Sequence, residues 1–411
     1  MQHVLGYQCT LCGAEFPFGP ELLTCPLCGE KGILDIRYDY SYIGKHFTRE
    51  SLQANRDNSM WRYAPLMPVR DVGQASFLRI GWTPLYKSHR LGDQLGLKQL
   101  YIKDDGLNPT ASLKDRASGV AVAKALELGY DTIACSSTGN AASSCAGNAA
   151  RMGLKTVIFV PERAPQGKVA QLLIFGANVI SVKGDYRQTF ELSKAAIEKW
   201  GFYNRNAGIN PVMVEGKKTV ALEIAEQLNW QPTDWVALSV GDGCTFGGVY
   251  QGFYDLLQLG FIDRIPKILG VQSFGCAPFV EAVREGRALR PTQENTLADS
   301  IAVGVPRNPV KALRAVEKSG GHWLAVTDED ILAAMRLVGS TEGVFSEPAG
   351  ATGLAGVVRA VEQGIIKPNE SVTAISTGSG LKDVTNALRA AGKPFLCEPD
   401  IKALEASGRI S

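Results

Sequence analysis

The sequence predicts an α/β protein whose sheets are mostly parallel, with a small zinc-ribbon-like module at the N-terminus. Between residues 116 and 205, short apolar runs alternate with helix-like patterns, which is typical of right-handed βαβ units. Two Cys-x-x-Cys pairs lie within the first 28 residues, ahead of this alternation. The strands predicted from the apolar runs cover residues 132–135, 156–160 and 178–182, with later ones at 235–240 and 372–376.

Size and composition limit the classes of function. A chain of 411 residues is too long for one ordinary domain and suits two domains plus a small module. The formal net charge of +2 favours neither nucleic acid nor an acidic membrane as a partner. No apolar run is long enough to span a membrane, and the first residues lack the pattern of a signal peptide. We therefore expect a cytoplasmic protein.

Four cysteines form the N-terminal module, predicted to cover residues 1–35. Two Cys-x-x-Cys pairs separated by twelve residues can place four thiolates around one structural zinc ion. Two redox pairs, or a ribbon without metal, are the alternatives. Basic residues are sparse here, so a nucleic-acid-binding ribbon is not expected. A linker is predicted for 36–80, with a short helix near 48–54. The predicted zinc ligands are Cys9, Cys12, Cys25 and Cys28.

The segment 108–116 has the sequence Asn-Pro-Thr-Ala-Ser-Leu-Lys-Asp-Arg and leads into a helix-like pattern. Lys114 therefore lies at a loop-to-helix junction, where unpaired N–H groups and the helix dipole favour an anionic ligand. A lysine held there can have a lowered pKa and can form a Schiff base with an aldehyde. The alternative is an ordinary surface lysine.

This segment resembles the cofactor-lysine motif of the threonine synthase-like family of fold-type-II pyridoxal-phosphate (PLP) enzymes, which reads Asn-Pro-Thr-Gly-Ser-Phe-Lys-Asp-Arg. Ala111 and Leu113 replace the glycine and phenylalanine. The resemblance implies that Lys114 is catalytic and binds PLP, that the substrate is a small amino acid, and that the protein is a homodimer. It also implies two open, mostly parallel sheets with the active site between them. The large PLP-binding domain would comprise 81–115 and 211–411, and the small α/β domain 116–210.

A Ser-Thr-Gly-Asn turn follows the first strand of the small domain and opens a helix. Such turns at the carboxyl ends of strands bind ligands in open α/β sheets, although helix capping explains this one equally well. The motif resembles that of threonine synthases. The resemblance implies that Ser137, Thr138 and Gly139 bind the substrate carboxylate and that Asn140 contacts the ring oxygen of PLP.

A glycine-rich loop follows the strand at 235–240. Such a loop lets successive N–H groups approach a phosphate, and without a Walker lysine a nucleoside triphosphate is not expected. The family places its PLP phosphate here, usually with Gly-Asn-Gly-Gly-Asn. Asp242 departs from that pattern and would have to point away from the phosphate. The residues implied to bind the phosphate are Gly241, Asp242, Gly243, Cys244 and Thr245.

The strand at 372–376 leads into Thr377-Gly-Ser-Gly-Leu-Lys-Asp. Threonine synthases read Thr-Gly-His-Gly-Leu-Lys-Asp here, and their threonine hydroxyl contacts the pyridine nitrogen of PLP. The resemblance therefore implies that Thr377 binds the cofactor. A neutral partner for that nitrogen suits elimination and replacement better than transamination. The segment 347–353 begins a helix, for which we expect plain core packing.

Three further departures from the family pattern concern the substrate. Ser379 occupies the position of the family's histidine. Gly208 and Met213 occupy the positions of a serine and an arginine that hold the substrate phosphate. Losing such charge-assisted contacts removes about 1.5–3 kcal/mol each. The cations that could restore them are Lys183, Lys217 and Arg307.

The resemblance predicts a PLP-dependent lyase of threonine synthase type, converting O-phosphohomoserine and water to threonine and phosphate. One alternative is elimination or β-replacement on another hydroxy- or phospho-amino acid. Another, from a different class, is a non-catalytic binding protein that keeps the enzyme fold. The intact Lys114, Asn140 and Thr377 argue against that last alternative.

Overall fold

The computed structural model describes the chain in seven stretches, which contain nearly all the predicted site residues. Thr138, predicted to bind the substrate carboxylate, lies outside the described residues. In the described stretches, no helix combines the length and the apolar character that crossing a membrane requires. The described residues are 1–19, 22–70, 77–137, 139–164, 166–184, 186–206 and 208–409.

The described strands form three sheets. They are β1 (Val4–Cys9), β2 (Glu15–Phe16), β3 (Leu34–Tyr38), β4 (Leu85–Ser88), β5 (Leu100–Asp104), β6 (Thr132–Ser136), β7 (Lys155–Pro161), β8 (Asn178–Val182), β9 (Tyr203–Asn204), β10 (Trp235–Ser239), β11 (Lys267–Ser273), β12 (His322–Val326) and β13 (Val372–Ser376).

The described part of the chain contains sixteen α-helices. They are α1 (Tyr40–Ile43), α2 (Arg49–Ala54), α3 (Arg90–Leu95), α4 (Lys114–Glu127), α5 (Asn140–Met152), α6 (Gln166–Ile174), α7 (Tyr186–Trp200), α8 (Val212–Lys217), α9 (Thr219–Gln227), α10 (Cys244–Gln258), α11 (Pro278–Arg284), α12 (Pro309–Ser319), α13 (Asp328–Glu342), α14 (Pro348–Glu362), α15 (Val384–Ala391) and α16 (Ile401–Ala406).

The sheet topology confirms the predicted α/β class. The six-stranded sheet has the order β12-β11-β10-β13-β5-β4 and is parallel except for its edge strand β4. The four-stranded sheet has the order β8-β7-β6-β9 and is parallel throughout. Every residue of β6, β10 and β13 is buried, as expected for strands that helices cover on both faces. The third sheet is antiparallel, with the order β2-β1-β3.

The described residues of the segment predicted as a linker, 36–70 and 77–80, include many buried side chains that pack against the rest of the chain. Helix α2 begins after Thr48, whose hydroxyl accepts the N–H of Ser51 in a capping box, and this matches the short helix predicted there. Tyr63 is fully buried, and its hydroxyl donates to Glu226 on α9 at 2.5 Å. The limits proposed for the two domains stay a prediction.

The topology positions one site. Strands β10 and β13 of the larger sheet end near a single cavity, as does β6 of the smaller sheet, and the segment after β5 brings Lys114 to it. The loops after these strands carry most of the side chains predicted to bind the cofactor or the substrate. Ligands of open α/β sheets bind at this edge because the loops and the helix N-termini meet there.

Candidate active site

A cavity of about 640 Å³ lies where the two parallel sheets meet. Its lining brings together every predicted cofactor or substrate residue that the structure describes, although these residues are spread over more than 260 positions. The predicted residues that line it are Lys114, Ser137, Gly139, Asn140, Gly241, Asp242, Gly243, Cys244, Thr245 and Thr377.

Lys114 is the first residue of α4, and backbone hydrogen bonds fix the loop before it. The N–H of Leu113 donates to the carbonyl of Thr377 at 2.8 Å, and the N–H of Ser379 donates to the carbonyl of Ala111 at 3.0 Å. These two bonds join the lysine loop to the loop after β13. Lys114 and Thr377 are therefore held on neighbouring segments of one wall.

Asp115 closes the turn that precedes the lysine. Its carboxylate accepts the N–H of Thr110 at 2.8 Å, the hydroxyl of Thr110 at 2.9 Å and the amide of Asn148 at 2.8 Å. Ala111, inside this turn, adopts the left-handed conformation with φ of 65°. The family has glycine there, so alanine at this position carries a strain of about 1 kcal/mol.

A network of buried charges lies behind the first turn of α4. Arg116 donates to Asp105 at 2.7 Å and to Glu223 at 2.5 Å, and Lys103 donates to Glu223 at 2.7 Å. All four side chains are 0% exposed. Because each charge has a partner, the network is satisfied, and it fixes the direction in which α4 leaves the lysine loop.

Four cations line the cavity: Arg307, from the loop before α12, and Lys114, Arg205 and Lys217. Arg205 and Lys217 are each 2% exposed, and Lys114 is partly exposed to the cavity. None of these last three forms an ion pair with a carboxylate of the described residues. Burial lowers the pKa of Lys114, and the charge of Arg205 lowers it further. Burial lowers the pKa of Lys217 to about 8.

Glu347 is the site residue that the sequence analysis missed. It lines the cavity at the start of α14, and the side-chain amide of Asn140 donates to it at 2.7 Å. Burial raises the pKa of Glu347 to about 7, although the charge of Lys114 opposes the shift. The sequence singled out the segment 347–353 but gave no sign that its first side chain faces the lysine rather than the core.

The glycine-rich loop has the geometry of an anion site. Gly243 adopts φ of +85° and caps α10, which begins at Cys244. This left-handed residue turns the chain so that the helix N-terminus faces the cavity. One carboxylate oxygen of Asp242 accepts the N–H of Arg307 at 3.3 Å, and the carbonyl of Asp242 accepts the N–H of Asn308 at 2.9 Å.

The residues present fit a cofactor with more than one anionic group. The cavity contains four cations without carboxylate partners among the described residues, and it has a helix N-terminus at the glycine-rich loop. Ser136 also lines it, and its buried hydroxyl has no hydrogen-bond partner within the described part of the chain. A buried polar group without a partner is costly unless a ligand satisfies it. PLP, with its phosphate and ring hydroxyl, meets these demands.

The four N-terminal cysteines form a second cluster, separate from the cavity. Their sulfur atoms all lie within 4.8 Å of one another, and the Sγ atoms of Cys12 and Cys25 are 3.8 Å apart. Two Zn–S bonds of about 2.3 Å at a tetrahedral angle place their sulfur atoms about 3.8 Å apart. An all-thiol donor set of this size suits zinc. The cluster comprises Cys9, Cys12, Cys25 and Cys28.

The structure shows which of the replaced positions, and which of the cations that could compensate for them, lie at the cavity. Met213 is fully buried and Lys183 is exposed, and neither lines the cavity. Gly208, Lys217 and Arg307 do line it. Two of the three cations considered as replacements therefore reach the site. Ser379 lies outside the lining and caps a short turn by accepting the N–H of Leu381.

Comparison with known proteins shows the family. The sequence profile of the family described as pyridoxal-phosphate dependent enzyme matches residues 77–378. The chain is 40% identical over 401 residues to threonine synthase of Methanocaldococcus jannaschii, covering 97% of this chain and 98% of the relative. It is 37% identical over 330 residues to threonine synthase of Mycobacterium tuberculosis, covering 80% of this chain and 89% of the relative.

Solved structures agree on the fold. The processed form of threonine deaminase isoform 2 from Solanum lycopersicum has a TM-score of 0.66 at 21% identity, covering 86% of this chain and 93% of that one. Diaminopropionate ammonia lyase from Escherichia coli, in complex with an aminoacrylate-PLP azomethine intermediate, also has a TM-score of 0.66 at 21% identity, covering 77% and 89%. The chain therefore belongs to the pyridoxal-phosphate-dependent enzymes of fold type II, as a lyase homologous to the threonine synthases.

Proposed function

We propose that this enzyme converts O-phosphohomoserine and water to threonine and phosphate. One observation carries the proposal: the cavity places Lys114 beside Thr377 and contains more unpaired cations than the single phosphate of PLP requires. A second phosphate, on the substrate, accounts for the excess. Elimination or replacement on serine, threonine or another unphosphorylated hydroxy-amino acid leaves that excess without a ligand, whereas the alternative substrate class of other phospho-amino acids would use it in the same way.

The cofactor contacts follow from the lining. Lys114 would hold PLP covalently, and the loop of Gly241 to Thr245 would bind its phosphate with the help of Lys217. Thr377 would contact the pyridine nitrogen and Asn140 the ring oxygen. When bound, PLP supplies a conjugated ring that accepts the electrons released at the substrate α-carbon.

Proton transfer falls to Lys114. Burial lowers the pKa of Lys114, which favours the neutral amine that accepts the α-proton, and for a leaving group at the γ-carbon the amine also moves a proton at the β-carbon. Once phosphate has left the γ-carbon with the bonding electrons, the γ-carbon gains a proton and becomes a methyl group, water adds its hydroxyl at the β-carbon, and the α-carbon is reprotonated. Ser137 and Gly139, with Thr138, would hold the substrate carboxylate during these steps.

Three further assignments belong to this proposal. The four N-terminal cysteines bind one structural zinc ion, a reading that the closeness of their sulfur atoms supports. The enzyme is a homodimer, the commonest state for enzymes of this kind. It is cytoplasmic, uses no nucleic acid or membrane as a partner, and takes a small amino acid as substrate, as the sequence predicts.

Product analysis tests the reaction. The purified holoenzyme is incubated with O-phospho-L-homoserine, and inorganic phosphate and threonine are measured together. We expect equal amounts of both. Parallel incubations with serine and threonine measure keto-acid release. Keto acid as the main product, without phosphate release from O-phosphohomoserine, would replace the proposed reaction by the dehydratase alternative.

A further inference from the structure

In the cavity wall, the side chain of Arg307 fills the space that a side chain at Gly208 would need. A Cβ atom built on Gly208 would lie 2.6 Å from Cδ and 3.0 Å from Cβ of Arg307. These atoms belong to the stem of the arginine, so the stem cannot yield without moving the whole side chain. A residue larger than glycine at 208 and Arg307 in its present place exclude each other.

The backbone around Arg307 is fixed at both sides. The N–H of Arg307 donates to the Asp242 carboxylate at 3.3 Å, and that of Asn308 donates to the Asp242 carbonyl at 2.9 Å. The side-chain amide of Asn308 donates to the carbonyl of Gly208 at 3.1 Å. The segment is thereby tied to the glycine-rich loop and to Gly208, so the side chain of Arg307 starts from a fixed point of the cavity wall.

The guanidinium is oriented but not neutralised within the described part of the chain. It lies over the ring of Phe190, with its carbon 3.9 Å from the ring centroid, and Phe190 also lines the cavity. No described carboxylate forms an ion pair with it. The carboxylate of Glu30 pairs with Lys194 instead, and a carboxylate oxygen of Asp242 accepts the backbone N–H of Arg307 rather than its guanidinium. Arginine stacked in this way keeps its planar donor edge available for phosphate.

The other cations of the cavity are placed for different tasks. Lys217 lies on α8, where its Cβ atom comes 3.2 Å from a Cβ built on Gly248 of α10, the helix behind the glycine-rich loop. Arg205 is held by Ser118, whose hydroxyl accepts its Nε and Nη2 at 3.2 and 3.0 Å. Arg307 is the cation attached to the wall at Gly208, where the family pattern places a phosphate-binding serine.

We propose that Arg307 binds the phosphate of the substrate and determines specificity for a phosphorylated amino acid. Gly208 makes this possible because, lacking a side chain, it leaves room for the stem of Arg307. The proposal rests on the function proposed above. One arginine, entering from the loop before α12, thus replaces the serine and arginine that Gly208 and Met213 have displaced. The site keeps its charge for phosphate while that charge comes from a different part of the chain.

Steady-state kinetics of the PLP-loaded enzyme test the proposal. For Arg307→Met we expect KM for O-phosphohomoserine to rise about 10- to 100-fold, while kcat stays within about threefold. Arg290→Met is the matched control, because Arg290 is exposed and lies outside the cavity lining, and it should match the wild type. PLP content and circular dichroism establish that each variant folds.

The pairing with Gly208 has its own test. Gly208→Ala should displace Arg307 and raise KM, and it should add little when Arg307→Met is already present. The proposal would be overturned if Arg307→Met left KM within twofold of wild type. It would also be overturned if the rise in KM of the double variant equalled the product of the rises in the two single variants.

A calorimetric titration of the holoenzyme with inorganic phosphate separates this inference from the proposed reaction. If the wild type releases no phosphate from O-phosphohomoserine, the proposed function fails. Weaker phosphate binding by Arg307→Met than by wild type would then still support the phosphate site. Equal binding by the two proteins, or none by the wild type, would overturn it.

Discussion

Tyr38, on the last strand of the N-terminal sheet, donates a hydrogen bond of 2.6 Å to Glu215 on α8. Helix α8 also carries Lys217 into the cavity, so the cysteine module is bonded to an element of the active-site wall. The same carboxylate pairs with Lys218, whose ammonium lies 4.2 Å from the centroid of the Tyr38 ring. The module is therefore part of the support of α8 rather than an independent appendage.

The first prediction concerns this contact. Tyr38→Phe keeps the ring over Lys218 but removes one of the two partners of the buried Glu215 carboxylate oxygen, which then keeps only its ion pair with Lys218. We expect a loss of about 1–3 kcal/mol in stability, visible as a Tm lower by a few degrees, together with weaker PLP retention on dialysis. Tyr42→Phe is the control, because the Tyr42 hydroxyl bonds to Gln2 at an exposed position. Equal Tm values for the two variants would show that the contact contributes nothing.

Lys114→Ala should abolish covalent cofactor binding and turnover. Without the amine, borohydride treatment should trap no PLP on the chain, and mass spectrometry of the intact protein detects the difference. Turnover should fall by at least about a thousandfold, because the covalent link and the general base are lost together. Lys98→Ala, at an exposed position, should retain both properties. Trapped PLP on the Lys114→Ala protein would place the cofactor lysine elsewhere.

Lys217 should make anion binding depend on pH. Its pKa in the folded protein is lowered to about 8, so the ammonium is present below that pH and is lost above it. The affinity of the PLP-free protein for sulfate, whose charge is constant in this range, should fall as the pH rises through about 8. In Lys217→Arg the cation persists, and the decline should disappear. A decline that Lys217→Arg retains would assign the titration to another group.

Metal analysis tests the cysteine cluster. We expect about one zinc ion per chain in the wild type. Cys25→Ser should lose it, with a Tm lower by about 5–10 °C, because zinc binding contributes directly to the folding of such modules. Cys397→Ser, outside the cluster, is the control and should keep its zinc. A wild type without metal, with disulfides found by thiol counting, would support redox pairs instead.

Local patterns predicted most of the framework. The apolar run at 178–182 is strand β8, and the runs at 132–135 and 156–160 lie within β6 and β7. The short helix near 48–54 is α2. These succeed because hydrophobic periodicity and capping act over a few residues. The loops after β6, β10 and β13 were predicted in the same way, since each follows a buried strand, whereas the lysine loop was predicted from the helix that begins after it and from its motif.

Contacts between distant residues could not be predicted. Asn140 and Glu347 are 207 positions apart, and nothing near Glu347 shows that it faces a lysine across a cavity. Arg205 is only 2% exposed, and the residues around it in the sequence do not indicate that it is buried. The burial of Tyr63 within the supposed linker depends likewise on Glu226, far along the chain. Such placements are decided by tertiary packing.

The buried charges of Arg116, Asp105, Glu223 and Lys103 constrain how the sequence can change. Glu223 is shared by both cations, so its loss alone would leave two buried charges short of a partner, at a cost of about 3–5 kcal/mol. A single substitution at any of these sites should therefore be eliminated by selection. Homologues that differ here should differ at several of the four positions together. A designer who wishes to replace these buried charges with apolar residues must change all four as a set.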